Sequence, residues 1–168
     1  MEYNKGLDFW KKEHEECNCG SYAFNLNEWY SPGVICGVDD NENGPMDCLD
    51  YWYGEGYRRE ELADELAKFY LERIEDDFKD SIQIVTEMPE LYRTNAEVIA
   101  FRAAAYVEED YENFDYDFHF KVFRDGKWLE KKGSQPIKFT SIEDWSGSIC
   151  YNSQTFYIIH SLENLTFN

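Results

Sequence analysis

Positive charge is scarce in this sequence. Its 168 residues carry 16 lysines and arginines against 35 aspartates and glutamates, for a formal net charge of −19 and a pI near 4.4. Such a chain has few cations to set against phosphate, which argues against DNA, RNA and anionic membranes as partners. It leaves a cationic partner, mimicry of nucleic acid by an acidic surface, or plain solubility. Long apolar runs are missing as well. No stretch of about 20 apolar residues occurs, so no membrane span is expected. The opening MEYNKGLDFWKKEHEE has no apolar segment of the kind a Sec-type signal needs. The expectation is a cytoplasmic protein, with release by phage lysis or a non-classical route as the alternative. A disulfide framework is then not expected. The five cysteines, Cys17, Cys19, Cys36, Cys48 and Cys150, are odd in number, so at least one thiol is free or pairs between chains. Their spacing matches none of the usual zinc-ribbon patterns. Neither a cofactor nor a resident metal is expected.

Aromatic residues, by contrast, are abundant at 18%, and hydrophobic residues reach 43%. That composition supports a packed core and excludes a disordered acidic chain. The length predicts a single domain over 1–168. Residues 1–16 are polar, with Leu7, Phe9 and Trp10 as anchors and His14 in a charged run. Residues 18–28 read as a short helix, because Cys19, Tyr22, Ala23 and Leu26 fall on one face; WYSPG then ends it. Residues 37–57 are rich in Gly, Asp and Asn and read as a long loop. Residues 58–79 form the clearest helix, with Leu62, Leu66, Phe69, Tyr70, Ile74 and Phe78 in one stripe. SIQIV is a short apolar run. EVIAFRAAAYV, at 97–107, fits helix or strand, and the strand reading is preferred for its second half. From residue 114 the pattern is β, ending in QPIKFTSI and QTFYIIHSL. Helices followed by antiparallel strands make an α+β fold.

Asp125-Gly126 lies between two β-rich runs and is a strong hairpin signal. A two-residue turn there pairs Phe123 with Trp128, Lys121 with Glu130 and His119 with Lys132. Side chains alternate across a strand, so these six share one face. Phe120, Val122 and Leu129 take the other, which should be the drier. Glu130 is then the diagonal neighbour of His119, about 7–8 Å away and within reach. A carboxylate that holds an imidazole is the orienting member of a Cys-His-acid triad. The alternative is a solvated strand face of His, Lys and Glu.

The thiol for such a triad is Cys19. At the start of a helix it meets unpaired N–H groups and the positive end of the dipole, which lower a thiol's pKa. Asn18 suits the position before it, and Gly20 would let a substrate backbone come close. The alternative is a buried thiol acting as a small hydrophobe.

These pieces together resemble the NlpC-type branch of the papain-like cysteine peptidases and amidases. Most of all they are similar to a divergent bacterial and phage group with an Asn-Cys-x-x-Tyr-Ala-Leu-Asn motif. The motif stands here as Asn18-Cys19-Gly20-Ser21-Tyr22-Ala23-Phe24-Asn25, followed by Trp29 and Pro32-Gly33. Later come Asp117-Phe118-His119-Phe120, Arg124, Asp125-Gly126 and Trp128, then Lys131, Gly133 and Pro136. The matched segments are 16–33 and 117–140, with the last strand around 156–159. The resemblance implies a papain-like fold with N-terminal helices packed on an antiparallel sheet. It also implies amide hydrolysis through a thioester by Cys19, His119 and Glu130, with a cell-wall peptide as the family-typical substrate. Where the relatives commonly carry His as the orienter, this chain has Glu130, whose carboxylate can accept the imidazole N–H. Cys17, two residues before the nucleophile, is unusual for the group. It would form a transient disulfide or stay idle.

Other arrangements compete. Asp39, Asn41 and Asn43-Gly44, with Asp47 and Asp50, follow the calcium-loop spacing except for a final Asp, although the flanks are not amphipathic helices. A four-thiolate zinc site of Cys17, Cys19, Cys36 and Cys48 would exclude catalysis by Cys19. His160 shares a face with Phe156 and Ile158 and reads as a core-edge histidine. Trp10, Trp52 and Tyr53 would line a cleft or pack in the core. The rival to the enzyme is a non-catalytic acidic interaction protein, an inhibitor or nucleic-acid mimic, on a papain-like scaffold.

Overall fold

The computed structural model describes residues 17–37, 44–107, 114–147 and 149–162. Trp10 and His14, together with Asp39, Asn41 and Asn43 of the calcium-type loop, lie outside the described residues. Among the described residues three helices come first: α1 (Cys19–Phe24), α2 (Gly44–Gly54) and α3 (Arg59–Phe78). After a 3-10 turn at Lys79–Ser81 come six strands. They are β1 (Ile82–Val85), β2 (Ala96–Val107), β3 (Phe114–Arg124), β4 (Lys127–Lys131), β5 (Ile137–Phe139) and β6 (Phe156–Ser161). The strands form one antiparallel sheet in the order β1-β6-β2-β3-β4-β5. The α+β expectation holds.

Apolar alternation along β2 accounts for the layering. Ile99, Phe101, Ala103 and Ala105 face the helices, where Leu62, Leu66, Tyr70, Ile74 and Phe78 of α3 are buried against them. Val98, Ala100 and Ala104 face the opposite side and are buried under Trp145, Tyr151 and Tyr157. The Ala103 N–H donates to Ser153 Oγ at 2.9 Å and the Ala105 N–H to Asn152 Oδ1 at 3.2 Å, which ties the covering segment to β2. Each fully buried Leu, Ile or Phe contributes about 1.5–3 kcal/mol relative to exposure.

The central hairpin forms as the Asp-Gly pair dictates. Asp125 and Gly126 take positive φ of 55° and 77°, the pair that a type I′ turn requires. Lys121 pairs with Glu130 and Phe123 with Trp128. The β3–β4 ladder stops at the Lys121–Glu130 pair and β4 itself at Lys131, so the expected pairing of His119 with Lys132 does not form. The face carrying His119, Lys121 and Glu130 is also not a solvated surface. All three side chains are buried, because residues 140–145 and Tyr151 cover them.

Three local expectations are corrected. The first helix spans six residues, not 18–28, since Asn25 turns left-handed (φ 57°) and its N–H closes onto Ser21 and Tyr22 carbonyls. Residues 44–54 are helical, not loop. Pro45 sits in the first turn, where a missing N–H costs nothing, and Leu49 is buried with Met46, Trp52 and Tyr53 packed beside it. Trp52 and Tyr53 therefore pack against the core. Asp47 and Asp50 of the calcium-type spacing thus lie on this helix. EVIAFRAAAYV is strand throughout, because both faces of the sheet are covered.

Candidate functional site

Cys19 is the first residue of α1, and the helix begins there because Asn18 caps it. Asn18 Oδ1 accepts the Ser21 N–H at 3.0 Å, and the Asn18 N–H donates to Ser21 Oγ at 3.2 Å, which makes a capping box. Asn18 also binds Tyr30 twice, accepting its N–H at 3.0 Å and donating Nδ2–H to its carbonyl at 2.6 Å. Its amide is thus committed to structure. Tyr30 is held in turn by Asp77 of α3, whose carboxylate accepts the Tyr30 hydroxyl at 2.6 Å and the N–H groups of Gly33 and Cys36 at 2.7 and 2.8 Å. At the far end of α1, Arg124 donates to the carbonyls of Tyr22 and Ala23 and forks onto Glu97 at 2.6 Å. Lys131 is buried and donates through Nζ to the carbonyls of Cys17 and Gly133. The helix that carries the thiol is therefore pinned at both ends to the sheet.

Gly20 is required for this packing. A Cβ there would stand 2.6 Å from Tyr30 Cδ2 and 3.3 Å from Phe120 Cε2. The expectation that Gly20 leaves room for a substrate backbone is corrected: the room is filled by two aromatic rings of the core.

His119 and Glu130 are in direct contact. The His119 Nε2–H donates to Glu130 Oε2 at 2.8 Å, with both side chains 3% exposed. Burial is the largest single influence on Glu130 and raises its pKa, but the His119 hydrogen bond and the charges of His119, Lys121 and Lys132 together outweigh it and hold the carboxyl below its usual range. An ionised carboxylate only accepts, so Nε2 carries the ring proton and Nδ1 is left as the basic atom. Burial pushes the His119 pKa down, and Glu130 pulls the other way. The ring is clamped by aromatic neighbours. Tyr151 stacks on it at 5.2 Å and Trp145 meets it edge-on at 6.1 Å.

Three lysines surround the same carboxylate. Lys121 Nζ lies 3.8 Å from Oε2, and Lys132 and Lys138 lie 3.9 and 3.7 Å from Oε1. Lys121 also donates to Thr140 Oγ1 at 2.9 Å, to the Ser141 carbonyl at 2.7 Å and to the Asp144 carbonyl. It thereby lashes the covering segment over the His119–Glu130 pair.

Cys19 and His119 open on one cavity of about 620 Å³, whose walls also include Trp29, Asp117, Lys132 and Tyr151. β4 ends at Lys131, so the first part of β3 is paired with β2 on one edge and has no β4 residue opposite it on the other. Cys19 is 6% exposed. Burial pushes its thiol up to about 12, and the charge of Asp117 adds to the rise, outweighing hydrogen bonds from the backbone of Phe120, Gly20 and Cys19 itself. The expectation of a thiol made acidic by the helix start is therefore corrected. A six-residue helix supplies a small dipole, and desolvation exceeds it. At rest the pair is a neutral thiol and a neutral imidazole.

The other sequence-level candidates stay apart from this site. His160 is fully buried, edge-on to Phe24 at 5.3 Å and Phe78 at 5.7 Å, as a core histidine on the helix side. None of the five cysteines is in a disulfide; Cys36 and Cys150 are exposed and Cys17 is buried. Among the described residues, no group of three or more His, Cys, Asp or Glu side chains is placed to hold a metal, nor is any helix long and apolar enough to cross a membrane. Sequence reasoning assigned Lys121 and Asp117 no role in the site and did not single out Tyr151. The strand alternation that put Lys121 beside Glu130 was a usable signal for the first, and Asp117 shares the parity of His119. Nothing local marked Tyr151, whose segment has no regular pattern. No known family model matches the chain, and comparisons with curated sequences and with solved structures likewise give no match.

Proposed function

We propose that this chain is a papain-like, NlpC-type cysteine hydrolase that cleaves an amide bond, as a peptidase or amidase, with Cys19 as nucleophile, His119 as base and Glu130 as orienter. The observation that carries the reading is the buried His119–Glu130 pair, at 2.8 Å, opening on the same cavity as a thiol at the first turn of a helix. In this scheme Nδ1 of His119 takes the Cys19 proton as sulfur attacks the carbonyl carbon. The oxyanion forms near the backbone N–H of Cys19. The imidazolium, stabilised by Glu130, returns the proton to the leaving amine and leaves a thioester. His119 then takes a proton from water, which attacks the thioester and releases the acid and the thiol. Because the resting thiol is neutral, proton transfer accompanies attack, in the manner of a serine hydroxyl with its histidine.

Treatment with p-nitrophenyl acetate tests this. The expected outcome is a single acetyl group on Cys19, seen by peptide mass mapping with a matching burst of nitrophenol. His119→Ala is expected to slow acetylation by about 10²-fold or more. Acetylation absent from Cys19, or unaffected by His119→Ala, overturns the reading. The burial of the thiol favours a second reading, in which Cys19 is a core residue and the acidic surface engages a basic partner. On that reading Cys19→Ala changes nothing but stability.

A further inference from the structure

Asp117 precedes His119 by two residues on β3 and lines the same cavity. Its Oδ2 accepts the Tyr151 hydroxyl at 2.9 Å, and its Oδ1 accepts the neighbouring Phe118 N–H at 2.8 Å. Both donors are neutral, and each carboxylate oxygen keeps a further lone pair. Among the described residues, no lysine or arginine forms an ion pair with it. The cavity's cation, Lys132, is already engaged, by the Ser146 carbonyl at 2.8 Å and by Glu130. The cleft thus presents an uncompensated negative charge. The cavity wall also carries Trp29, 50% exposed, an aromatic side chain of the kind that suits a cation.

We propose that Asp117 anchors a positively charged group of the substrate, so that the amides cleaved carry an ammonium or guanidinium group close to the scissile carbonyl. The inference rests on the reading of Cys19 as nucleophile and names the substrate class for that site. It also resolves a difficulty at Cys19. The charge of Asp117 opposes formation of a negative sulfur at Cys19. A bound cation cancels that field when the substrate is seated, so nucleophilicity rises only with the right substrate present. Wrong substrates, neutral or anionic near the carbonyl, leave the carboxylate either unpaired or repelled, which is discrimination by repulsion as well as attraction.

Charged thiol reagents test this on the intact protein. Aminoethyl methanethiosulfonate is cationic and sulfonatoethyl methanethiosulfonate is anionic; iodoacetamide is the neutral control. Modification is followed at the Cys19 peptide, so that the other cysteines do not interfere. The expected preference of Cys19 for the cationic over the anionic reagent is on the order of tenfold beyond that of Cys150, an exposed thiol of the same acidic molecule. Asp117→Asn, which keeps an acceptor for Tyr151, is expected to remove that excess. Asp117→Glu, which keeps the charge, is expected to retain it. An excess unchanged in Asp117→Asn overturns the anchor while leaving Cys19 as nucleophile. If Cys19 reacts with iodoacetamide no faster than a cysteine peptide, the catalytic reading falls and the anchor falls with it.

Discussion

Replacing Glu130 by alanine is expected to cost about 3–5 kcal/mol of stability, read from the urea midpoint at pH 7. The carboxylate is 3% exposed and faces one imidazole and three ammonium groups. Its removal takes the carboxylate nearest Lys121 and leaves that buried ammonium on the neutral oxygens of Thr140, Ser141 and Asp144 and the face of Trp145. It also leaves the His119 Nε2–H without its acceptor in a dry site. Both are the expensive kind of deletion, in which one partner goes and a buried polar group stays. Glu130→Gln separates shape from charge. Its amide oxygen can still accept from Nε2–H, so about half the loss should return. The imidazolium is no longer stabilised, however, and the His119 pKa should fall further below its ordinary value, visible in the ring's NMR titration. A Glu130→Ala variant as stable as the parent would remove the carboxylate from its place at the centre of this face.

Acid stability should be governed to an unusual degree by His160, which no proposed step uses. Its ring is wholly buried between Phe24 and Phe78, with the positive charge of Arg124 felt nearby, and its pKa is pushed down to about 4. In the unfolded chain the same group titrates near 6.5. Between those values the unfolded state binds a proton that the native state refuses, so stability rises with pH across that window. Above about pH 6.5 the contribution is complete, and acidification towards pH 4 removes it. The 2.5-unit difference corresponds to about 3 kcal/mol. His160→Phe fits the aromatic surroundings and does not titrate. Urea unfolding at pH 7, 5.5 and 4 should show its stability falling by about 3 kcal/mol less than the parent's. An equally steep fall in the variant contradicts the assignment.

How much of this was legible depended on whether a residue's partner lay nearby in sequence. The Asp125-Gly126 turn set the register of β3 on β4, and that register alone put Glu130 diagonal to His119. The stripe on α3 was equally plain, since its spacing is local. The failures have a common cause in tertiary cover. EVIAFRAAAYV looked ambiguous because its two faces are both apolar, the mark of a strand buried on both sides. The His119–Lys121–Glu130 face looked like a solvated surface because its cover, residues 140–145 and Tyr151, is irregular and carries no period. The expected acidity of Cys19 considered only the helix start, whereas burial under the surrounding chain decided the sign. Helix α2 was missed for a different reason. Gly44, Asp47 and Asp50 suggested a loop, yet Pro45 in the first turn with Met46, Leu49, Trp52 and Tyr53 on one side was a readable helical signal.

The central claim is that His119 acts on the Cys19 thiol, and the pH dependence of Cys19 alkylation by iodoacetamide measures this most directly. With His119 neutral and basic at Nδ1, alkylation should reach a plateau above the lowered His119 pKa and stay flat through neutral pH. At pH 6 it should exceed the rate of a cysteine peptide, and His119→Ala should replace the plateau with a steady rise of tenfold per pH unit, towards the thiol's own ionisation near 12. A parent protein that already shows that steady rise, indistinguishable from His119→Ala, would contradict the account.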